Sequence, residues 1–154
     1  MDFDTETTLF TNGRILTMAA DHPEYVQALV IQYGRIAFAG DVAEAMAEYP
    51  DATIHDLEGF ALIPGLGEAE SLEAARSLIE QGASVYEALR ALTADVARAS
   101  GTDEVLGSLE VAKVADLVLL SDDPMAVAPE LVAGIAVVAT IRVVRSGPDH
   151  DAQA

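Results

Sequence analysis

The residues of this 154-residue chain that could do chemistry are three histidines, one lysine and a few clustered acids. His22 precedes Pro23 in a loop, His55 falls in an expected strand, and His150 lies near the C-terminal end. They are too scattered for two imidazoles to grip one metal ion. With no cysteine, thiolate ligands and disulfides are excluded. Lys113, the only lysine, would act as a nucleophile or base only if its surroundings lowered its pKa. Asp122-Asp123 before Pro124 offers oxygen ligands of the kind calcium prefers, but two adjacent acids ahead of a proline more readily make a turn. Glu68, Glu70 and Glu73 gather at the start of an expected helix, where the helix dipole favours negative charge. There is no glycine-rich phosphate loop and no nucleophile with a base at matching spacing. No catalytic, cofactor-binding or metal-ligating residue is therefore expected, and no cofactor.

The elements around these residues follow from local patterning. Residues 8–18 read as two short strands around Asn12-Gly13, a dipeptide that accepts positive φ and suits a tight hairpin. A second hairpin joins 28–32 to 35–39 through Tyr33-Gly34. Asp41 caps a helix over about 42–48, stopped by Pro50. Residues 53–63 return to strand with a turn at Gly59, and Pro64-Gly65 punctuates its end. Leu72, Ala75, Leu78 and Ile79 share one helical face, with Gly82 as the stop. Ser84 with Glu87 forms a capping box, and Val85, Ala88, Leu89, Leu92 and Val96 continue as one stripe toward Gly101. Residues 116–120 are a buried-type strand, a short helix is expected over 129–133, and the last strand runs from Ile135 to Val144. Strands, helices, then strands again predict one α+β structure in which both terminal groups share sheets.

Charge narrows the partners. There are 26 acids against 8 bases, a net charge of −18, which repels phosphate backbones and anionic membranes. Nucleic acid and membrane are not expected as partners; a basic protein partner or a solvated acidic surface is. Apolar stretches are broken by charge before the roughly eighteen residues of a membrane span, and Met1-Asp2-Phe3-Asp4-Thr5-Glu6 is neither basic nor apolar, unlike a secretory signal. A cytoplasmic location is expected.

Several segments, taken together, resemble metal-dependent amidohydrolases of the broad-specificity, exoenzyme- or deaminase-like branch. They are Thr11-Asn-Gly-Arg-Ile15; Ala28-Leu-Val-Ile with Gly34-Arg-Ile-Ala-Phe-Ala-Gly40; Leu62-Ile-Pro-Gly-Leu66; Glu87-Ala-Leu-Arg-Ala-Leu-Thr93; Gly107-Ser-Leu-Glu110; and Lys113 with Ala115-Asp-Leu-Val-Leu-Leu120 and Asp123-Pro124. The resemblance implies a small composite β-sandwich-like domain, built from both ends of the chain, with a TIM barrel inserted between them. A barrel needs roughly 250 residues; Gly65 and Val85 are separated only by positions 66 through 84, 19 residues. The barrel is absent. The family's His-x-His metal pair, which would activate a water, falls on Glu70 and Leu72, and leucine cannot ligate. In the family pattern Lys113 occupies a solvated surface turn. Two departures lie outside the lost barrel: Val111-Ala112 stands where the family has Pro-Gly, and 139–144 runs through where the family turns at Gly-Gly.

These readings predict a single domain over 1–154. Its parts are an N-terminal β part (1–66), a helical link replacing the barrel (67–100), a C-terminal β part (101–147) and a disordered tail (148–154). The expected role is a non-catalytic structural or interaction module, most simply a homo-oligomer. Two alternatives stand beside it: a residual or partner-completed amidohydrolase acting on C–N bonds, and a small-ligand binder using the cleft left by the barrel. Loss of a barrel would bare an apolar patch, so Leu62, Ile63, Leu66, Leu72, Leu78, Ile79, Val85 and Leu89 are the expected interface residues. The rival arrangement is a link helix folding back over the same patch.

Overall fold

The computed structural model describes residues 7–66 and 72–142. Strand β1 (Thr7–Leu16) is continuous through Asn12-Gly13, so the hairpin expected there does not form. The same backbone freedom makes a bulge instead: Asn12 takes φ 63°, and the register of β1 against β2 (Tyr25–Gln32) shifts between Thr11 and Ile15. The parallel partner on the other side is interrupted at the same level. It comprises β4 (Thr53–Asp56), which pairs with Thr8–Thr11, and β5 (Ala61–Pro64), which pairs with Arg14–Ile15. Between them Glu58 and Gly59, both at positive φ, turn the chain out, and Leu57 and Gly59 donate to the carbonyls of Thr11 and Asn12. Gly13 is required at this crossing, because a β-carbon there would lie 2.5 Å from Leu57 Cβ and 2.6 Å from the Phe60 carbonyl.

The second hairpin forms as expected, β2 to β3 (Arg35–Gly40) through Tyr33 and Gly34. All seven strands lie in one open sheet, ordered β3-β2-β1-β5-β6-β7, with β4 also on β1; β6 is Asp116–Leu120 and β7 is Val137–Arg142. N-terminal and C-terminal strands thus share a sheet through the antiparallel β5–β6 ladder. The fold is α+β with no closed barrel among the described residues. The sheet also curls. The lead-in to β6 reaches the outer edge of β3, where Val114 bridges Arg35 and Ile36 donates to the Lys113 carbonyl.

Alternation along the strands explains the curl. Phe10, Leu29, Ile31 and Ile36 from one half share a core with Leu62, Leu117 and Ala115 from the other, so one face of the sheet packs against itself in a sandwich-like way. The opposite face is covered in two places. Helix α1 (Val42–Glu48) lies over Leu9, Ala28 and Val30. Helices α2 (Glu73–Glu80) and α3 (Val85–Leu92), with a 3-10 helix at Pro129–Gly134, lie over Leu16, Ile63, Val118 and Leu120.

The link helices start and stop as their sequence dictates. After α2, Gly82 at φ 108° lets Gly82 and Ala83 donate back to Ile79 and Leu78, a Schellman ending. Ser84 and Glu87 form the capping box of α3 in both directions. The single stripe expected to reach Val96 breaks at Thr93, whose backbone (φ −124°, ψ −84°) leaves the helix while its hydroxyl donates to the Leu89 carbonyl at 2.8 Å. Helix α4 (Ala94–Ala99) therefore buries Ala94 and Ala97 and leaves Val96 exposed. The last strand begins two residues later than expected, at Val137; Val143 and Val144, and the tail 148–154, lie outside the described residues. No described helix is long and apolar enough to cross a membrane.

Candidate functional site

The place where chemistry would have to sit is the end of β5, at Pro64-Gly65-Leu66. Gly65 donates its amide to the Asp116 carbonyl at 2.8 Å. The Asp116 carboxylate presses against the Gly65 Cα, where a β-carbon would collide with it. That carboxylate is largely buried and accepts from Arg142 Nε at 3.2 Å, so its charge is neutralised by β7. Beside it opens a cleft of about 540 Å³ whose walls include Leu66, Leu92, Val96, Leu106 and Asp116. The walls are mostly apolar, with Thr93, Ser100, Thr102 and the paired Asp116 carboxylate among them, a lining that suits an apolar body with a few polar contacts.

Among the described residues no donor set fits the metal that the resemblance implies. Leu72, where the resemblance puts the second histidine of the family's pair, is fully buried beside Leu66, Ala75 and Leu89 at the start of α2. Glu70, and Glu68 with it, lie outside the described residues. Glu73 is engaged with Arg76 at 3.2 Å. Among the described residues no three His, Asp or Glu side chains come together as a metal site.

The remaining candidates are dispersed. His22 is exposed, and its Nδ1 lies 3.1 Å from Oδ1 of its neighbour Asp21. His55 sits on β4 with its ring tilted against Phe10, centroids 5.1 Å apart. His150 lies outside the described residues. The Asp122-Asp123 pair is no calcium cage. Asp122 is exposed and bonded to Ser121, whereas Asp123 is buried and its oxygens are occupied: Tyr25 Oη donates at 2.7 Å, the Met125 amide at 2.9 Å, and Arg14 Nε lies at 3.3 Å. Arg14 also stacks over the Tyr25 ring at 4.6 Å. Burial, and then the bond to Asp123, hold the Tyr25 phenol protonated above its usual range. This cluster joins β1, β2 and the turn after β6, and nothing in residue spacing announced it, since Tyr25 and Asp123 are 98 residues apart.

Lys113 corrects the reading of a solvated turn. Its side chain is 15% exposed; it donates to Ser108 Oγ at 2.8 Å and pairs with Glu110 at 3.1 Å, while Ser108 donates to Glu110 at 2.5 Å. The turn keeps the backbone of a Pro-Gly turn although Val111-Ala112 takes its place: Ala112 sits at φ 81°, the value a type II turn asks of its third residue, and Lys113 donates its amide to the Glu110 carbonyl at 3.1 Å; the Ala112 carbonyl accepts from Arg35. Lys113 is thus a structural cation with both partners in place. The hydrogen bond from Ser108 chiefly, with Lys113 adding to it, holds the Glu110 carboxyl below its ordinary 4.5. A depressed carboxyl stabilises the fold above its unfolded value, and this contribution is lost as pH falls through the folded one. Glu110→Gln is therefore expected to be modestly less stable than the parent chain at neutral pH, by a salt-sensitive margin, and that margin should close as pH drops below about 4.5. Urea melts of the two proteins across this range would check it; a margin independent of pH would refute it.

Of the expected interface residues, Leu62, Ile63, Leu66, Leu72 and Leu89 are buried in the chain's own cores, and Leu78, Ile79 and Val85 pack half-buried against them. Helices α2 and α3 pack over Ile63 and Leu66 in one core.

Fold and site together define an α+β module that joins both ends of a chain and carries no metal-ligand set among its described residues. The chain belongs to the amidohydrolase family, whose sequence pattern matches residues 44–143. Solved structures similar to it include an uncharacterized metal-dependent hydrolase from Pyrococcus furiosus, 28% identical over 48% of this chain and 16% of that one, with a TM-score of 0.36. Another is an enamidase of the amidohydrolase superfamily, 31% identical over 40% of this chain and 16% of that one, TM-score 0.34. A third is an uncharacterized metal-dependent hydrolase from Pyrococcus horikoshii OT3, 25% identical over 58% and 20%, TM-score 0.35. The chain spans a fifth or less of the length of these structures. No curated protein matches it.

Proposed function

We propose that this chain is a barrel-less amidohydrolase-family protein acting as a non-catalytic structural or interaction module, and that it works as a homo-oligomer in the cytoplasm. The observation that supports this reading is Leu72: the position where the resemblance puts a metal-binding imidazole holds a fully buried leucine. The amidohydrolases this chain is similar to are metal-dependent by name, and here no donor set replaces the missing pair among the described residues. Elemental analysis of protein purified without chelator tests it. Less than a tenth of an equivalent of zinc, manganese or iron per chain is expected; one equivalent would overturn the reading and favour a residual or partner-completed hydrolase.

The cleft of about 540 Å³ beside Gly65 and Asp116 supports a second reading, binding of a small apolar ligand. A rise in melting temperature with small aliphatic or aromatic compounds, abolished by Val96→Arg at the exposed wall, would favour it over the module reading.

A further inference from the structure

Among the described residues the outer edges of β4 and β7 are open along the whole strand, whereas that of β3 is closed at Arg35 and Ile36 by the segment leading into β6. An open edge presents unpaired N–H and C=O groups to any strand that approaches. The two edges differ in how they are protected. β4 is four residues long and ends on Asp56, with Asp51 just before it. β7 is six residues long, Val-Val-Ala-Thr-Ile-Arg, with Val138, Ala139 and Thr140 exposed and Val138 48% so. No acid occurs in sequence between Glu130 and Asp149, the longest acid-free stretch of a chain whose net charge is −18.

We infer that the β7 edge is a pairing surface for a second copy of this chain, the two strands running antiparallel across a two-fold axis. A two-fold contact uses the same strip on both copies, and antiparallel pairing is the strand geometry that permits this. Charge selects the strip. Two copies of so acidic a chain repel wherever their acids face each other, and of these two open edges β7 is the one without an acid, β4 carrying Asp56. A basic partner would be drawn to the acidic surface elsewhere. Arg142, the one charged residue of β7, is already neutralised by Asp116. Pairing along six residues adds about six main-chain hydrogen bonds. The remaining long-range repulsion is screened by salt, with a Debye length near 10 Å at 0.1 M and near 3 Å at 1 M.

The inference rests on the module reading and gives it an interface, and the outcomes are distinguishable: bound metal would sink the non-catalytic reading and leave the edge standing, whereas a monomer would sink the edge and the homo-oligomer and leave the non-catalytic reading standing. The experiment is sedimentation of the full chain at about 0.1 M and about 1 M salt, for the parent, for Val138→Glu with Thr140→Glu, and for Ile54→Glu on the β4 edge. The parent is expected to dimerise more tightly at high salt. The β7 double substitution should raise the dissociation constant about tenfold or more, and Ile54→Glu should leave it unchanged. A parent monomeric at every concentration and salt, a dimer that survives the β7 substitutions, or a dimer broken by Ile54→Glu would each overturn the inference. Amide hydrogen exchange of the unmodified chain needs no variant to fold: protection at 137–142 should rise with protein concentration, and concentration-independent exchange there would count equally against it.

Discussion

Placing a histidine at position 72 is expected to destabilise the protein by about 3 kcal/mol without creating a metal site. Leu72 is fully buried in the core that joins β5 to helices α2 and α3. Removing a buried leucine side chain costs roughly 2–5 kcal/mol where the site cannot collapse. The imidazole recovers part of the volume but brings two ring nitrogens into an apolar setting, and each buried polar group without a partner costs about 1–3 kcal/mol. For a chain of this size the melting temperature should fall by about 6–12 °C. Thermal melts of Leu72→His followed by circular dichroism, with and without added zinc or manganese, check both halves. A variant that melts like the parent, or one that metal stabilises by several degrees, would mean that the position still faces a metal site and that the chemistry has been lost less completely than argued.

Asp123→Ala is expected to cost about as much, roughly 3 kcal/mol, for a different reason. The buried carboxylate is the shared acceptor for Tyr25 Oη, the Met125 amide and Arg14, three groups drawn from β1, β2 and the turn after β6. Hydrogen bonds to a charged group are worth about 1.5–3 kcal/mol, and truncation leaves the buried donors unpaired. Arg14 adds little, because its side chain is 56% exposed and its ion pair is screened. Tyr25→Phe should cost only about 1 kcal/mol, and the double variant less than the sum of the two, because both changes remove the same bond. Chemical unfolding of the four proteins would measure the coupling. Strict additivity would show that the carboxylate and the phenol do not act together, and the cluster would then not be what ties the two ends of the chain.

Much of this protein was legible without its structure, and the legible parts are local. The β2–β3 hairpin, the glycine ending of α2, the capping box of α3 and the strand at 116–120 each depend on residues within one turn of one another, so local sequence suffices to specify them. The residue types at 70 and 72, on which the expectation of no metal pair rests, were legible for the same reason. The resemblance added that both ends of the chain belong in one sheet. What sequence left open was decided by contacts between distant segments. Asn12-Gly13 permits either a hairpin or a bulge, and the docking of Leu57–Phe60 against it selects the bulge. The stripe from Val85 to Val96 fits one helix; instead Thr93 breaks it, and Gly107, lying against Ala94 and Ala97, sets where the second helix packs. Lys113 looked solvated because Ser108 and Glu110, though near in sequence, close on it only after Val111-Ala112 has shaped the turn. Residue types set which groups are available for chemistry, and here they leave almost none. Whether an apolar residue becomes an interface or a core is a question of what folds over it, and for Leu62, Ile63, Leu66, Leu72 and Leu89 the answer comes from the packing of the chain against itself.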